Sequence, residues 1–503
     1  MEIARQAVEA TIRRLDPTDI AAARWFGGKG REIRSIGLGE AFVLPGDRHV
    51  LAVADVAYER GPTDAYLFPL IAEGEGLRIA RDGDGALRAL AVAIAEGRTI
   101  PSLPTAGAAT AADDSTPGPV TAALVCRPAL GLRDVEPDGA EAIERLPERP
   151  LGVDQSNSSV VLGDRLLLKA YRWLQPGLNP DLEVVAFLNE EAGFTAVPPL
   201  AGYAEMVSRS RGPSTVAMLQ GFVADGKDAY ELVAEMVTGW LLAPGSVSVE
   251  YATEIAADVG TLTAGLHAAV SSAGGVPEFE PRRATRDELR AWYADARIQL
   301  DRALEIAPGD AGRVLRKLSP QIADALTVFE ALPTEPIVTR VHGDYHLGHV
   351  LSAPDGYRIV DFEGEATGDV EERRAHRSPL RDVASMLRSF GQVGRSAGRR
   401  AEERNGGPLA SPGLDLDAWL RRSRERFLAA YRTGLREAGT PIEVDPDLLR
   451  AFEIERECHG FVYASTFLPE RLWAPTEAMR GLLETRLDDG ATQGALSHDN
   501  RRP

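Results

Sequence analysis

Cysteine is nearly absent from this 503-residue chain: Cys126 and Cys458 are the only two. They are too few for a disulfide framework or a cysteine zinc site, and they fit a reducing compartment. No apolar run approaches the roughly 18 residues needed to cross a bilayer, so no membrane partner is expected. The opening residues, MEIARQAVEATIRRLDPTD, mix acids with bases and hold no apolar stretch. That argues against a secretory signal, and a cytoplasmic protein is expected. Positive charge is also in deficit. Against 75 Asp and Glu stand 56 Lys and Arg, a net charge of −19. Such a field repels polyanions and argues against a nucleic-acid partner. The arginine-rich stretches EERRAHR and GRRAEER interleave acids and read as solvated surface.

What is present is a globular composition, 44% apolar, long enough for several domains. EIARQAVEATIRRL has helical spacing and ends at Pro17. HVLAVADVAYER and DAYLFPLIAEG alternate apolar and polar positions around GPT, a hairpin pattern, and GALRALAVAIAEG reads as a helix. Pro101 to Val120, rich in Ala, Thr, Pro and Gly, is expected to be a mobile connection, closing an N-terminal module over residues 1–120. SNSSVVLGDRLLLKAYR then predicts a second hairpin turning at Gly163 and Asp164. NPDLEVVAFLNEEAG predicts a helix capped by Asn179 or Asp181, and STVAMLQGFV another strand. Long helical patterns follow, among them SVEYATEIAADVGTLTAGLHAAV and DAGRVLRKLSPQIADALTVFEAL. A strand-rich unit before a helix-rich one predicts an α+β fold of two lobes, residues 121–225 and 226–486. Gln392 to Gly413 and the tail 487–503 are expected to be disordered on composition. There is no internal repeat.

TRVHGDYHLGHVL, Thr339 to Leu351, concentrates three of the eight histidines. EPIVTRV reads as a strand entering it and GYRIVDF as a strand leaving. A zinc hydrolase would need H-E-x-x-H on a continuous helix, whereas Gly343 follows His342 and the setting is a loop. A polar loop with buried, hydrogen-bonded histidines is the plain alternative. Phosphoryl transfer accounts for more of the residues. It needs an acceptor for the substrate hydroxyl proton, a metal-binding side chain five residues on, and a further carboxylate on the next strand for Mg²⁺. Asp344, His349 and Asp361 stand in that order. Where protein kinases carry H-R-D-x-x-x-x-N and then D-F-G, this chain carries H-G-D-Y-H-L-G-H and then D-F-E. His342 would orient the loop. Imidazole is a less suitable Mg²⁺ ligand than oxygen, so either His349 touches the ion weakly or Asp361 and Glu363 carry most of the coordination.

A kinase also needs a strand lysine for the phosphates and a helix glutamate to hold it. Lys169, after three leucines in RLLLKAYR, and Glu183, in the first turn of the next helix, fit. In DQSNSS, Ser156, Asn157 and Ser158 could cover the phosphates, with a plain polar turn as the alternative. WFGGKGR, Trp25 to Arg31, lacks the spacing of a P-loop and reads as a tight turn.

ARWFGGKGR, DQSNSSVVLGDRLLLKAYR, PGLNPDLEV, HGDYHLGHVL, VDFEGE and SPLRDVASMLRSF, in order from residue 23 to 390, together resemble the maltokinase-like branch of the aminoglycoside-phosphotransferase superfamily, which includes bacterial glucosamine kinases. The resemblance implies an N-terminal cap on a eukaryotic-kinase-like bilobal fold that uses ATP and Mg²⁺ to phosphorylate a sugar. Asp344 would be the catalytic base, Asp361 and the His349 position the metal ligands, and Lys169 and Glu183 an ion pair. Maltokinases usually carry glutamine at the position of His349 and proline where Ala366 stands. The C-terminal lobe bears on the acceptor. RAFEIERECHGFVYASTFLPERLW reads as a helix packing through Ile454, Cys458, Phe461 and Ser465, with Glu453 and Glu457 beside that stripe or facing solvent. Carboxylates and the ring of Trp473 would favour an amino sugar. Arg381 and Asp382 either fix the catalytic lobe or touch sugar hydroxyls. The expectation is an ATP-dependent kinase forming glucosamine 6-phosphate, acting as a monomer. Maltose 1-phosphate formation and a pseudokinase or nucleotide-binding regulator are the alternatives.

Overall fold

The computed structural model describes residues 3–496 except 75, 82, 105–121, 153–156, 244–247, 273–274, 366–368 and 410–415. Side chains are described as far as residue 484. The expected connection at 101–120 therefore lies mostly outside the described residues, as does Ser156. By its internal contacts the chain divides into two compact units. One comprises Met1–Gly226 with Asp361–Arg374, the other Lys227–Val360 with Ala375–Pro503.

The first unit holds two antiparallel sheets. In one, Ile33–Val43, His49–Tyr58 and Asp64–Glu73 run in sequence, with Gly76–Ile79 and Trp173–Leu174 added against the third strand. The predicted hairpin pairs His49 with Ile71 and Val56 with Asp64. The sheet packs on the helix Arg5–Ile12 through Val8 and Ile12, with Phe26, Tyr58 and Tyr66 in the same core. The WFGGKGR turn is structural. A Cβ on Gly27 would come within 2.5 Å of the Trp173 ring, and one on Gly28 within 2.3 Å of the Tyr58 hydroxyl. Lys29 donates to the carbonyls of Ala21, Ala22 and Ala23, capping the helix Pro17–Ala22.

The other sheet has seven strands, in the order Thr99–Pro101, Ala122–Pro128, Leu200–Ser208, Gly212–Gly221, Leu166–Ala170, Ser158–Leu162 and Glu148–Pro150. Gly163 and Asp164 both adopt positive φ, 58° and 54°, as a tight two-residue hairpin turn demands. The helix Pro180–Glu190 starts as the sequence predicts, with Asn179 accepting from the Asp181 amide and Pro180 in the first turn.

The second unit is mainly helical. Glu254–Val270 packs along Leu416–Glu437, and Leu380–Asn405 packs against Ala229–Leu242 and Pro446–Phe467. The first pair approaches closely through glycine. A Cβ on Gly260 would lie 2.4 Å from the Phe427 carbonyl oxygen, and one on Gly434 would lie 2.6 Å from the Ala264 methyl. The stretch expected to be disordered from Gln392 is corrected here: 392–405 are helical. Val393, Ala397 and Ala401 recur every four residues and are buried, while Arg400 and Arg404 pair with Glu231 and Glu235. Composition hid that period. The helix Trp473–Leu496 likewise carries the first part of the expected tail. Among the described residues no helix is long and apolar enough to cross a membrane.

Candidate active site

Lys169 sits near the end of the strand Leu166–Ala170, paired with Ser159 on one side and Met218 on the other. Flanking strands bury its aliphatic stem, and three carboxylates meet its ammonium. Nζ lies 2.9 Å from Asp181, 2.6 Å from Asp361 and 2.5 Å from Glu363. Burial alone would lower its pKa, but Asp181, Asp361 and Glu363 together raise it well above the ordinary lysine value. The expected pairing with Glu183 is corrected: the lysine's helix carboxylate is Asp181. The first turn of Pro180–Glu190 directs Asp181 to Lys169 and to the Tyr171 hydroxyl, 3.1 Å away. Glu183, two positions on and so about 200° round the helix, receives Arg374 through Nε at 2.9 Å and Nη2 at 2.5 Å.

Asp361 and Glu363 arrive on the segment after Gly356–Ile359. Asp361 adopts φ 71°, a costly conformation for a residue with a side chain. The Phe362 amide donates to Asp181 at 2.9 Å, holding the segment in place. Asn157 donates to Glu363 at 2.5 Å. Ser158 is buried and accepts from Arg172 Nε at 2.6 Å, so its hydroxyl is engaged within the sheet. Oxygens of Asp181, Asp361 and Glu363 lie within 4.8 Å of one another, and one ammonium cannot neutralise three carboxylates. Burial pushes the Glu363 pKa up, Lys169 opposes this, and Asp361 and Asp181 add to it. That excess of negative charge on oxygen donors suits a hard divalent cation such as Mg²⁺.

In the second unit, the loop after Ile337–Val338 carries His342, Gly343 and Asp344, and a single turn of 3-10 helix, Leu347–His349, ends it. Gly343 adopts φ 87°, which a side chain would oppose. Asp382, from the start of Leu380–Asn405, accepts the amides of His342 at 2.8 Å and Gly343 at 3.0 Å. The Leu347 amide donates to Ser389 Oγ at 3.1 Å. Asp344 is thus suspended between two anchored stretches with its carboxylate half-exposed.

His342 and His346 share one tautomer and His349 takes the other. Nδ1 of His342 accepts the Asp344 amide, so Nε2 donates to the Val360 carbonyl at 3.1 Å. Burial, then the neighbouring His349, lowers its pKa and keeps it neutral. Nδ1 of His346 accepts the Gly348 amide at 3.0 Å, which leaves the proton on Nε2 and no lone pair for a metal. Nδ1 of His349 faces the Asp344 carbonyl at 2.8 Å and must donate to it, which places the lone pair on Nε2. That second bond is what orients a ligating histidine. The ligand atoms of His349 group with those of Asp344 and His346 within 4.8 Å, whereas Asp361 and Glu363 group with Asp181.

Of the residues expected to meet a sugar, Arg381 lies 3.5 Å from Glu455 and over the Phe452 ring. Arg399 covers one face of the Trp473 ring at 3.7 Å. Glu453 and Glu457 do not face solvent: both are buried on Pro446–Phe467, Glu453 with Arg424 and Glu457 3.4 Å from Arg388. Burial raises the Glu457 pKa, opposed by Arg388. Glu455 Oε2 is buried without a hydrogen-bond partner. Asp181, Arg374 and His267 escaped the sequence reading. For Asp181 the signal was present, a second acid in the first helical turn after Lys169.

A lysine-bearing antiparallel sheet with a carboxylate cluster, and a His-Gly-Asp loop on a helical unit, are the working parts of a phosphoryl-transfer enzyme. The phosphotransferase enzyme family matches residues 148–415, and the chain belongs to that family. It is 31% identical over 386 residues to a glucosamine kinase of Streptacidiphilus jiangxiensis, covering 75% of this chain and 84% of the relative. A glucosamine kinase of Mycolicibacterium smegmatis is 28% identical over 338 residues, 67% of this chain and 80% of that one. A solved glucosamine kinase in complex with glucosamine, ADP and inorganic phosphate superposes with a TM-score of 0.69 at 26% identity, covering 96% of this chain and all of that one. Another crystal form of a glucosamine kinase gives 0.72 at 25% identity, covering 95% and 99%.

Proposed function

We propose that this protein transfers the terminal phosphoryl group of ATP to the 6-hydroxyl of glucosamine. The observation that carries the reading is the His342–Gly343–Asp344 loop, whose backbone Asp382 grips immediately before a half-exposed aspartate. A carboxylate so held can orient a sugar hydroxyl and accept its proton as the oxygen attacks phosphorus. Lys169 holds phosphate oxygens, exchanging part of its carboxylate company for them. Asp361 and Glu363 would hold Mg²⁺. The ion supplies positive charge against the phosphates. The nucleotide also meets Asn157. The 31% identity to a glucosamine kinase supports the acceptor.

Glucosamine is favoured over maltose by the buried acids of Pro446–Phe467. Glu457 pairs with Arg388 at 3.4 Å, and Glu455 keeps an oxygen without a hydrogen bond. An ammonium group would satisfy such carboxylates, where a neutral sugar would not. The test is ADP release on a panel of glucosamine, glucose, maltose and an aminoglycoside, with and without Mg²⁺. Glucosamine should give the highest kcat/KM, and Glu457→Gln should lower it by about tenfold or more while sparing glucose. Preference for maltose would overturn the acceptor, and ADP release from none of them would point to a nucleotide-binding regulator.

A further inference from the structure

His267, Asp382 and Tyr431 are all buried in the helical unit. His267 lies near the end of Glu254–Val270, and Tyr431 on Leu416–Glu437, the two helices drawn together by Gly260 and Gly434. His267 Nδ1 is 2.7 Å from the Tyr431 hydroxyl, and Nε2 is 3.2 Å from Asp382 Oδ2. The rings meet edge to face, with centroids 5.6 Å apart. The Asp382 carboxylate can only accept from the ring, so the proton of the neutral imidazole sits on Nε2. Nδ1 is left as an acceptor, and the buried Tyr431 hydroxyl, which burial keeps protonated, donates to it. Asp382 therefore receives three donors, His267 Nε2 and the amides of His342 and Gly343. Every link has its direction fixed from Tyr431 to the residue before Asp344. The same helix holds the other flank of Asp344: Thr263 Oγ lies 3.1 Å from the hydroxyl of buried Tyr345.

We propose that His267 is a positioning residue for phosphoryl transfer, which fixes Asp382, and through it the backbone carrying Asp344, by relaying a directed hydrogen bond from Tyr431. This inference rests on the reading of Asp344 as the reacting carboxylate. The relay needs one acceptor and one donor at His267 and no charge. Glutamine offers both and can reach; leucine offers neither. Loss of one buried hydrogen bond and the resulting misplacement of Asp344 should reduce kcat by about tenfold or more in His267→Leu, whereas the KM values for ATP and acceptor stay within about twofold.

The experiment is steady-state kinetics by ADP release on full-length wild type, His267→Leu, His267→Gln and Asp344→Asn, at a temperature where each is folded by circular dichroism. Recovery of kcat to within about threefold of wild type in His267→Gln, with loss in His267→Leu at unchanged KM, supports the relay. Equal kcat in the two His267 variants, whether both high or both low, overturns it. If His267→Leu does not fold, Tyr431→Phe decides: a loss of about threefold or more at unchanged KM supports the relay, and full kcat overturns it. Asp344→Asn separates the two claims. Activity in that variant sinks the reading of the site, whereas a dead Asp344→Asn beside a fully active His267→Leu sinks the relay alone.

Discussion

Asp382 is where chemistry at the residue scale is most exposed to test. Burial would raise its pKa, but the hydrogen bonds from His267 and from the His342 amide hold it below the ordinary aspartate value. A group depressed in the folded state binds fewer protons there than in the unfolded chain. Its contribution is therefore present above the unfolded value, about 3.9, and is lost as pH falls through the folded one. Thermal denaturation from pH 7 down to pH 3 should show Asp382→Asn with a lower Tm at pH 7 and a shallower decline below about pH 4 than wild type. Parallel curves would contradict this. What is legible in the sequence at this scale is placement: a lysine after three leucines falls on a strand, and the aspartate of H-G-D on a loop. Asp181 was missed although its helix starts as predicted, because Asp181 and Glu183 both stand in the first turn and only the packing of that turn on the sheet shows which of them faces Lys169. His267 was missed as well. A histidine inside a long helical pattern carries no mark until a partner helix brings Tyr431 to it.

Among elements, the pair Glu254–Val270 and Leu416–Glu437 links packing to the catalytic loop. A side chain at Gly260 meets the Phe427 carbonyl oxygen, which belongs to backbone and cannot turn away. Gly260→Ala should cost about 1–3 kcal/mol and lower Tm by several degrees, with kcat falling alongside. A Tm within a degree of wild type would show that the helices separate at little cost. Helix existence was legible here from apolar spacing, but the contact was not, since small residues enter both helical and loop patterns. The same ambiguity made 392–405 read as disordered. Its glycines and arginines dominate the composition, while Val393, Ala397 and Ala401 carry the buried stripe.

On the scale of the whole molecule, a 14-residue excursion matters most. The chain leaves the helical unit after Val360, gives Asp361–Arg374 to the sheet unit, and returns at Ala375. That segment supplies Asp361 and Glu363 to Lys169, the Phe362 amide to Asp181 and Arg374 to Glu183. A fragment ending at Gly226 keeps both sheets but leaves buried charges short of partners, each a cost of about 3–5 kcal/mol where the partner is lost outright. Near-UV circular dichroism should show it without fixed tertiary packing, and a sharp cooperative transition would contradict that. Long-range closure of this kind has no local signature, although the D-F-E motif at its start was readable.

The central claim is that Asp344 serves phosphoryl transfer to glucosamine. ADP release from ATP with Mg²⁺ and glucosamine, comparing wild type with Asp344→Asn, tests it most directly. Glucosamine-dependent release by the wild type, reduced about 10²-fold or more in a variant that still binds nucleotide, is the predicted result. Equal rates in the two proteins would contradict the account.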